Sequence, residues 1–172
     1  MNSQGGIYVI RDCTQFDFKE IYEIINDSAT SYQGIIPADC WKEPYMPTSE
    51  LRREISNGVQ FFGEERVGNL LGVMGSQSRG DVILLRHAYV QTAWRNQGIG
   101  SGLLRHLLAS ADRPILIGTW SAAYWAVRFY EKHSFTVLRG ARKDALLKKY
   151  WSISARQTEA SVVLADPNWL NE

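Results

Sequence analysis

Two cysteines, Cys13 and Cys40, are the only thiols in 172 residues, too few and too isolated for a disulfide framework or a metal knuckle. No run approaches the ~20 apolar residues of a membrane span, and the first residues lack a signal-peptide pattern. Lys and Arg number 19 against 18 Asp and Glu, a net charge of +1, so the basic excess usual in nucleic-acid binding is missing. No acidic run stands ready for a basic protein tail. Internal repeats and low-complexity linkers are absent as well. These absences indicate a cytoplasmic chain with reduced thiols, no metal, no nucleic acid and no membrane partner. With 45% hydrophobic residues, residues 1–172 read as one domain long enough for a proper core.

What is present centres on residues 82–111. Val82 to Val90 is an apolar run that reads as a buried strand. Arg95, Asn96, Gln97, Gly98, Ile99, Gly100 and Ser101 then open a helix whose apolar residues Ile99, Leu103, Leu107 and Ala111 recur mostly every fourth position. A helix N-terminus carries unpaired N–H groups and a positive dipole end, which attract anions. Gly98 and Gly100 lack a Cβ, so a phosphate can come close, and Arg95 adds a fork of donors. A dinucleotide fingerprint fails here, because its last glycine falls on Leu103 and no acidic residue follows near Thr119–Ser121. A P-loop fails because no lysine follows Gly100.

Arg-x-x-Gly-x-Gly after a strand resembles the pyrophosphate loop of the acetyl-coenzyme A binding GNAT acetyltransferases. A second stretch, Ala126-Val-Arg-Phe-Tyr-Glu-Lys-His-Ser-Phe135, resembles the helix that follows the fifth strand of that family. Two departures stand out. Ala123 occupies the place of a common asparagine, and Ser134 replaces the usual helix-ending glycine. Ser134 must adopt a left-handed conformation at ~1 kcal/mol or end the helix another way. The motifs span residues 82–135, less than half the chain.

Elsewhere, residues 6–12 alternate as a first strand. Asp17-Phe-Lys-Glu20 has the form of a capping box, opening a helix from about 17 to 30 with Phe18, Ile21, Tyr22, Ile25 and Ala29 on its apolar face. Residues 31–47 hold three prolines and the aromatics Tyr32, Trp41 and Tyr45. Thr48 caps a helix to Ile55, which Gly58 stops. Strands follow at 59–65 and 68–77 with a two-residue break at Arg66-Val67, then at 114–118 and 135–138. Ser121 reads as the N-cap of the tyrosine helix. Residues 139–157 form an insert with a short helix at 144–151, and the last strand is 158–164. The tail, 165–172, carries Trp169 and Leu170 with no evident core, so it is either mobile or docked on a second subunit of a homodimer.

This order is an α/β (α+β) chain. The resemblance implies a mixed, mostly antiparallel sheet of six to seven strands, splayed between strands 4 and 5 and flanked by helices. It further implies an acetyl-coenzyme A dependent N-acetyltransferase, in which an amine attacks the acetyl thioester directly. Ala88, Tyr89 and Val90 would offer backbone to the pantetheine arm, residues 95–101 would hold the pyrophosphate, and Ala126 and Phe129 would line the cofactor. Tyr130 falls on the position beside the coenzyme sulfur. Its phenol, ~10 against ~8.5 for a thiol, would stabilise the leaving thiolate chiefly by hydrogen bonding. His87 is a candidate base with an intrinsic value of ~6.5, provided a bulge turns it rather than Arg86 toward the cleft; Asp27 and Glu23 are fallbacks acting through water. Tyr32, Trp41, Trp120 and Trp151 are candidate contacts for a small-molecule amine acceptor. The alternative is a coenzyme A binding module without catalysis, which intact Tyr130 disfavours.

Overall fold

In a computed structural model, residues 7–171 are described; Gly6 and Glu172, placed by the sequence in the first strand and the tail, lie outside them. Seven strands form one mixed sheet in the order β1-β2-β3-β4-β5-β7-β6. They are β1 (Tyr8–Asp12), β2 (Gln60–Arg66), β3 (Asn69–Arg79), β4 (Val82–Val90), β5 (Ile115–Trp120), β6 (Thr136–Leu138) and β7 (Ser161–Ala165). The helices are α1 (Phe18–Ala29), α2 (Thr48–Ser56), α3 (Ile99–Ser110), α4 (Tyr124–Lys132), α5 (Gly140–Tyr150), α6 (Ala155–Glu159) and α7 (Pro167–Leu170). The pairs β1·β2, β2·β3, β5·β7 and β6·β7 are antiparallel or hairpin-like in register, whereas β4 and β5 are parallel. The parallel pairing covers Ile83↔Ile115 to Leu85↔Ile117.

The chain forms two compact units, interleaved in sequence. One contains residues 7–30, Pro44–Ser76 and His87–Ser110; the other contains Ser31–Glu43, Gln77–Arg86 and residues 111–171. The first has a core of Ile21, Ile24 and Ile25 from α1 with Leu51, Val59, Phe61, Leu70 and Val73. Isoleucines three and four apart share a helix face, which is why α1 packs there. The second core joins Val82, Leu84, Leu116, Val163 and Ala165 of the strands to Leu146, Leu147 and Tyr150 of α5.

Several boundaries differ from the sequence reading. The capping box starts earlier, at Thr14, and Asp17 is its third helical residue. Asp17 is better used there, because its carboxylate also takes two bonds from Arg11, at 2.8 and 3.0 Å. Pro47 rather than Thr48 stands at the N-cap of α2. The hairpin turn is Val67-Gly68, both at positive φ (50° and 77°), the geometry that matches strand twist in a two-residue loop. In α3, Leu104 is buried and Ala111 lies beyond the helix. The insert holds two helices, α5 and α6, where one was expected at 144–151, and the last strand begins at Ser161.

The tail is also resolved. Asp166 caps α7 through the Trp169 amide at 3.0 Å and accepts from the Ile115 amide at 2.6 Å. Trp169 and Leu170 pack against the second core, and Arg142 lies 4.9 Å over the Trp169 ring. They therefore pack within their own chain.

Arg11, then the Thr14 amide, hold the Asp17 carboxyl down at about 2. A depressed carboxylate contributes stability above its unfolded value of ~3.9 that is lost as pH falls through the folded value. Because Arg11 is about one-third exposed, we expect ~1–2 kcal/mol from this group. Urea denaturation of Asp17→Asn should show that deficit above pH ~5, closing toward pH ~2. A deficit independent of pH would contradict the assignment.

Candidate active site

The residues singled out by the sequence fall in both units, and each set is taken within its own. In the first unit, β4 breaks regular extended geometry at His87, whose φ is 53°, a conformation that costs a non-glycine residue ~1 kcal/mol. The break directs the ring to α2: Nε2 lies 2.8 Å from Glu54 Oε2. The imidazole also stacks on Phe61 with centroids 6.1 Å apart. Arg86, the competing residue, donates instead to Gln77 Oε1 in the second unit at 2.9 Å. Ala88, Tyr89 and Val90 follow, each partly buried.

The loop after β4 is braced before α3 begins. The Gln91 amide donates to Leu71 O at 2.9 Å, and its side chain donates to Leu70 O at 2.7 Å. The end of α1 supplies two more struts. Asp27 Oδ2 accepts from the Thr92 amide at 2.7 Å. Arg95 Nη2 donates to the Ser28 carbonyl at 2.8 Å and to its hydroxyl at 3.2 Å. Arg95 thus fixes the loop through one nitrogen and carries its charge there. Asn96 and Gly98 take left-handed φ values of 60° and 82°, a turn type that gathers amides into an anion-binding concavity. The Gly102 amide donates to Gly98 O at 2.9 Å, so the amides of Ile99 and Gly100 precede the helical ladder. Ile99 is buried and anchors the helix start, while Gln97 and Gly98 are exposed. A Cβ at Gly72 would come within 2.8 Å of Ile99 Cγ2 and 3.2 Å of Tyr89 O; glycine on β3 is what lets α3 start so close.

Of the fallback bases, Asp27 commits one oxygen to Thr92. Glu23 is exposed and faces Lys19 at 3.6 Å.

In the second unit, α4 places Tyr130 inward with 6% exposure. Its hydroxyl makes no hydrogen bond among the described residues, yet it is not among the fully buried atoms lacking a partner. Burial, and secondarily Tyr32, push its ionisation well above the ordinary phenol range, which keeps it a neutral donor. Phe129 and Phe135 pack edge-on to its ring at 5.1 and 6.0 Å. Ala126 sits in the first turn, its amide bonded to Ala123 O at 3.0 Å. Ser121 is not the N-cap: its amide and hydroxyl both go to Ala160 O, at 2.8 and 2.9 Å, leaving Ala123 at the cap without a side-chain bond. At the other end Ser134 adopts φ 69°, the left-handed alternative, and the Phe135 amide returns to Tyr130 O at 3.2 Å.

The acceptor candidates are also in this unit. Tyr32 stacks on Trp125 at 5.9 Å and 25°, and Trp125 remains 46% exposed. Trp41 follows a 3-10 turn (Ala38–Cys40) whose Asp39 pairs with Arg156 of α6 at 2.7 Å, so the insert holds this loop. Trp120 is buried at the end of β5, and Trp151 packs over Gly118, where a Cβ would lie 3.3 Å from its indole. Tyr32, Trp125, Phe129 and Tyr130 are thus grouped, with Trp120 and Trp151 built into the packing around β5. The sequence reading missed Glu54 and Ser28. Glu54 stands three residues after buried Leu51, on the same helix face, which was the one available signal; a backbone carbonyl such as Ser28 O leaves none. No group of three or more His, Cys, Asp or Glu able to hold a metal occurs among the described residues. None of their helices is long and apolar enough to cross a membrane.

If the loop holds coenzyme A, as the sequence resemblance implies, and the Thr92 amide needs its carboxylate, Asp27→Ala should weaken that binding roughly fivefold, the worth of about one hydrogen bond. Titration calorimetry reads this directly. Unchanged affinity would mean that Arg95 and Ser28 hold the loop alone.

The profile of the acetyltransferase (GNAT) domain matches residues 26–146. No curated protein sequence gives a match. Among solved structures, a GNAT-family acetyltransferase from Staphylococcus aureus Mu50 superposes with a TM-score of 0.71 at 16% identity, covering 93% of this chain and 98% of that one. The PaiA N-acetyltransferase of Thermoplasma acidophilum, solved in complex with coenzyme A, gives 0.67 at 17%, covering 93% and 98%. The ribosomal-protein-S18-alanine N-acetyltransferase of Escherichia coli gives 0.60 at 17%, covering 94% of each. At such identities the likeness establishes the fold alone. The profile covers well over half of the chain, from the end of α1 to the middle of α5, and takes in both the braced loop and the tyrosine helix: the chain belongs to the GNAT acetyltransferase family.

Proposed function

We propose that the chain is a single-domain acetyl-coenzyme A dependent N-acetyltransferase acting on the primary amine of a small or amino-acid-like molecule. The observation that carries the reading is Tyr130, a buried neutral phenol on the motif helix whose hydroxyl makes no hydrogen bond among the described residues. A phenol without work in catalysis would be expected to find a partner or stay in the core.

The residues present fit the cofactor. The left-handed turn at Asn96 and Gly98, with the amides of Ile99 and Gly100 ahead of the helical ladder, suits a pyrophosphate. Arg95 retains Nε and Nη1 for it, since its described bonds use Nη2. Ala88, Tyr89 and Val90 would bind the pantetheine arm by backbone, and Gln97 and Ser101 belong with the pyrophosphate loop; in the second unit, Ala126 and Phe129 are the residues assigned to the cofactor. When bound, acetyl-coenzyme A supplies an activated thioester. The transfer joins the amine nitrogen to the acetyl carbon and breaks the carbon–sulfur bond; the amine loses one proton and the sulfur gains one.

This chain's residues serve the two proton movements. Tyr130 Oη hydrogen-bonds the sulfur as its charge develops. Its raised ionisation makes it a hydrogen-bond donor to that charge rather than a base. His87 takes the amine proton. A typical amine of pKa ~10.4 is only about one part in ~2,500 neutral at pH 7, a penalty of ~4.6 kcal/mol that a base offsets. Tyr32 and Trp41, with Trp120 and Trp151 behind β5, shape the acceptor side; the exposed Trp125 face suits an apolar or cationic group. One neighbour, from E. coli, is named as an N-acetyltransferase for an alanine of ribosomal protein S18. The compact aromatic grouping favours a small acceptor here.

Acetyl-coenzyme A should raise the melting temperature, and Gly100→Glu should abolish the shift by placing bulk and negative charge at the pyrophosphate seat. An undiminished shift in that variant would overturn the cofactor assignment. Tyr130→Phe should lower kcat roughly tenfold to a thousandfold with little change in cofactor affinity. Wild-type turnover would return Tyr130 to the core.

A further inference from the structure

We propose that Asp39 and Arg156 are positioning residues for the acceptor: their ion pair clasps the aromatic loop, residues 31–43, to α6 and so sets the apparent affinity for the amine. This rests on the acetyl transfer proposed above and deepens it.

The pair has the geometry that lets an exposed ion pair matter. Arg156 Nε donates to Asp39 Oδ2 at 2.7 Å and Nη2 to Oδ1 at 3.2 Å, a two-pronged match of guanidinium to carboxylate. Such forks are the exception to the rule that surface pairs contribute little. The guanidinium holds the Asp39 carboxyl below the usual carboxylate range, so both partners are charged at neutral pH. The remaining nitrogen, Nη1, makes a longer contact of 3.4 Å to Glu159 Oε2 on the same helix.

The two ends of the clasp are not held alike. Helix α6 is tied to the packed part of the second unit. Buried Lys143 of α5 donates to Thr158 O at 2.7 Å, and Ser121, just after β5, donates from both its amide and its hydroxyl to Ala160 O. The loop is tied less. Ile36 alone is buried among residues 31–43. Short turns supply the loop's own bonds, from the Ile35 and Ile36 amides to Tyr32 O, from Cys40 to Pro37 O and from Trp41 to Ala38 O.

What the loop carries is Tyr32. Its ring stacks on Trp125 of α4 at 5.9 Å, and it is near enough to Tyr130, on the same helix, to push that phenol's ionisation up. A loop that brings a ring within electrostatic reach of the proposed donor borders the path of the amine. Loosening it lowers the fraction of molecules ready to bind, and the apparent dissociation constant rises by the inverse of that fraction. Neither charge serves a proton movement of the transfer, so turnover at saturating amine is spared.

The test uses the full chain, acetyl-coenzyme A and a panel of small primary amines that includes phenethylamine. For the amine that wild type uses best, Arg156→Gln should raise KM about fivefold, with kcat and the KM for acetyl-coenzyme A within about twofold. Arg156→Lys, which keeps the charge and loses the fork, should fall between the two. Asp39→Arg and Arg156→Asp should each raise KM, and the double exchange should bring it back to within about twofold of wild type. In about 1 M salt, where the screening length is about 3 Å, wild type should approach Arg156→Gln. Without any turnover, hydrogen exchange read by mass spectrometry should show the amides of Ile35, Ile36, Cys40 and Trp41 exchanging roughly threefold faster in Arg156→Gln, with β5 and β7 unchanged. Unaltered exchange there would overturn the clasp. An unaltered amine KM in a variant whose loop exchanges faster would overturn its role in acceptor binding. Wild type that acetylates no amine of the panel would overturn the acetyltransferase reading instead, and exchange alone then decides the clasp.

Discussion

A phosphate seat made of backbone amides works only if those amides are kept from other partners and yet do not move. The loop proposed as such a seat, in the first unit, is held in this way. The amides of Ile99 and Gly100 lie ahead of the helical ladder, so the loop before them must be fixed from outside. Asp27 and Ser28, at the end of α1, do this through Thr92 and Arg95, while Gln91 ties the loop to β3. The α1 isoleucines buried in the first core hold the struts in turn. Gly72 completes the arrangement by letting Ile99 lie against β3. The loop proposed for the cofactor, glycine-rich in sequence, makes four side-chain bonds to its neighbours.

The second unit sets Tyr130, the proposed donor, in an apolar setting in which its hydroxyl makes no hydrogen bond among the described residues. Tyr130 is hemmed by Phe129 and Phe135, and burial raises its ionisation so that it stays protonated. The chain around it is secured at points well removed from the ring. Ser134 ends α4 in a left-handed turn, Ser121 ties the segment to Ala160, and Arg156 clasps the aromatic loop through Asp39. These bonds keep neighbouring segments in place without drawing on the phenol.

Much of this was legible in the sequence, and the division has physical reasons. Strand β4 and helix α3 were readable because their apolar periodicity and glycine spacing are local. The same holds for the tyrosine helix, where seven residues carry the pattern. Whatever depended on side-chain partners outside the local periodicity was not. Asp17 looks like an N-cap because a helix follows it, but Arg11 and Thr14 compete for its carboxylate. Ser121 looks like a cap until Ala160 offers a carbonyl. Trp169 and Leu170 seem to lack a core because theirs is assembled from α5, β6 and β7. Glu54 reads as one charge among many on a polar helix; only the fold brings His87 to it.

The central claim is that this family member transfers acetyl groups to an amine rather than merely binding the coenzyme. The most direct measurement supplies 13C-labelled acetyl-coenzyme A with a panel of small amines and follows coenzyme A release alongside product mass. The account predicts release that depends on the amine, with one labelled acetyl group appearing on that amine for each coenzyme A freed. Tight coenzyme A binding with no amine-dependent release across small amines, amino acids and peptide N-termini would contradict it.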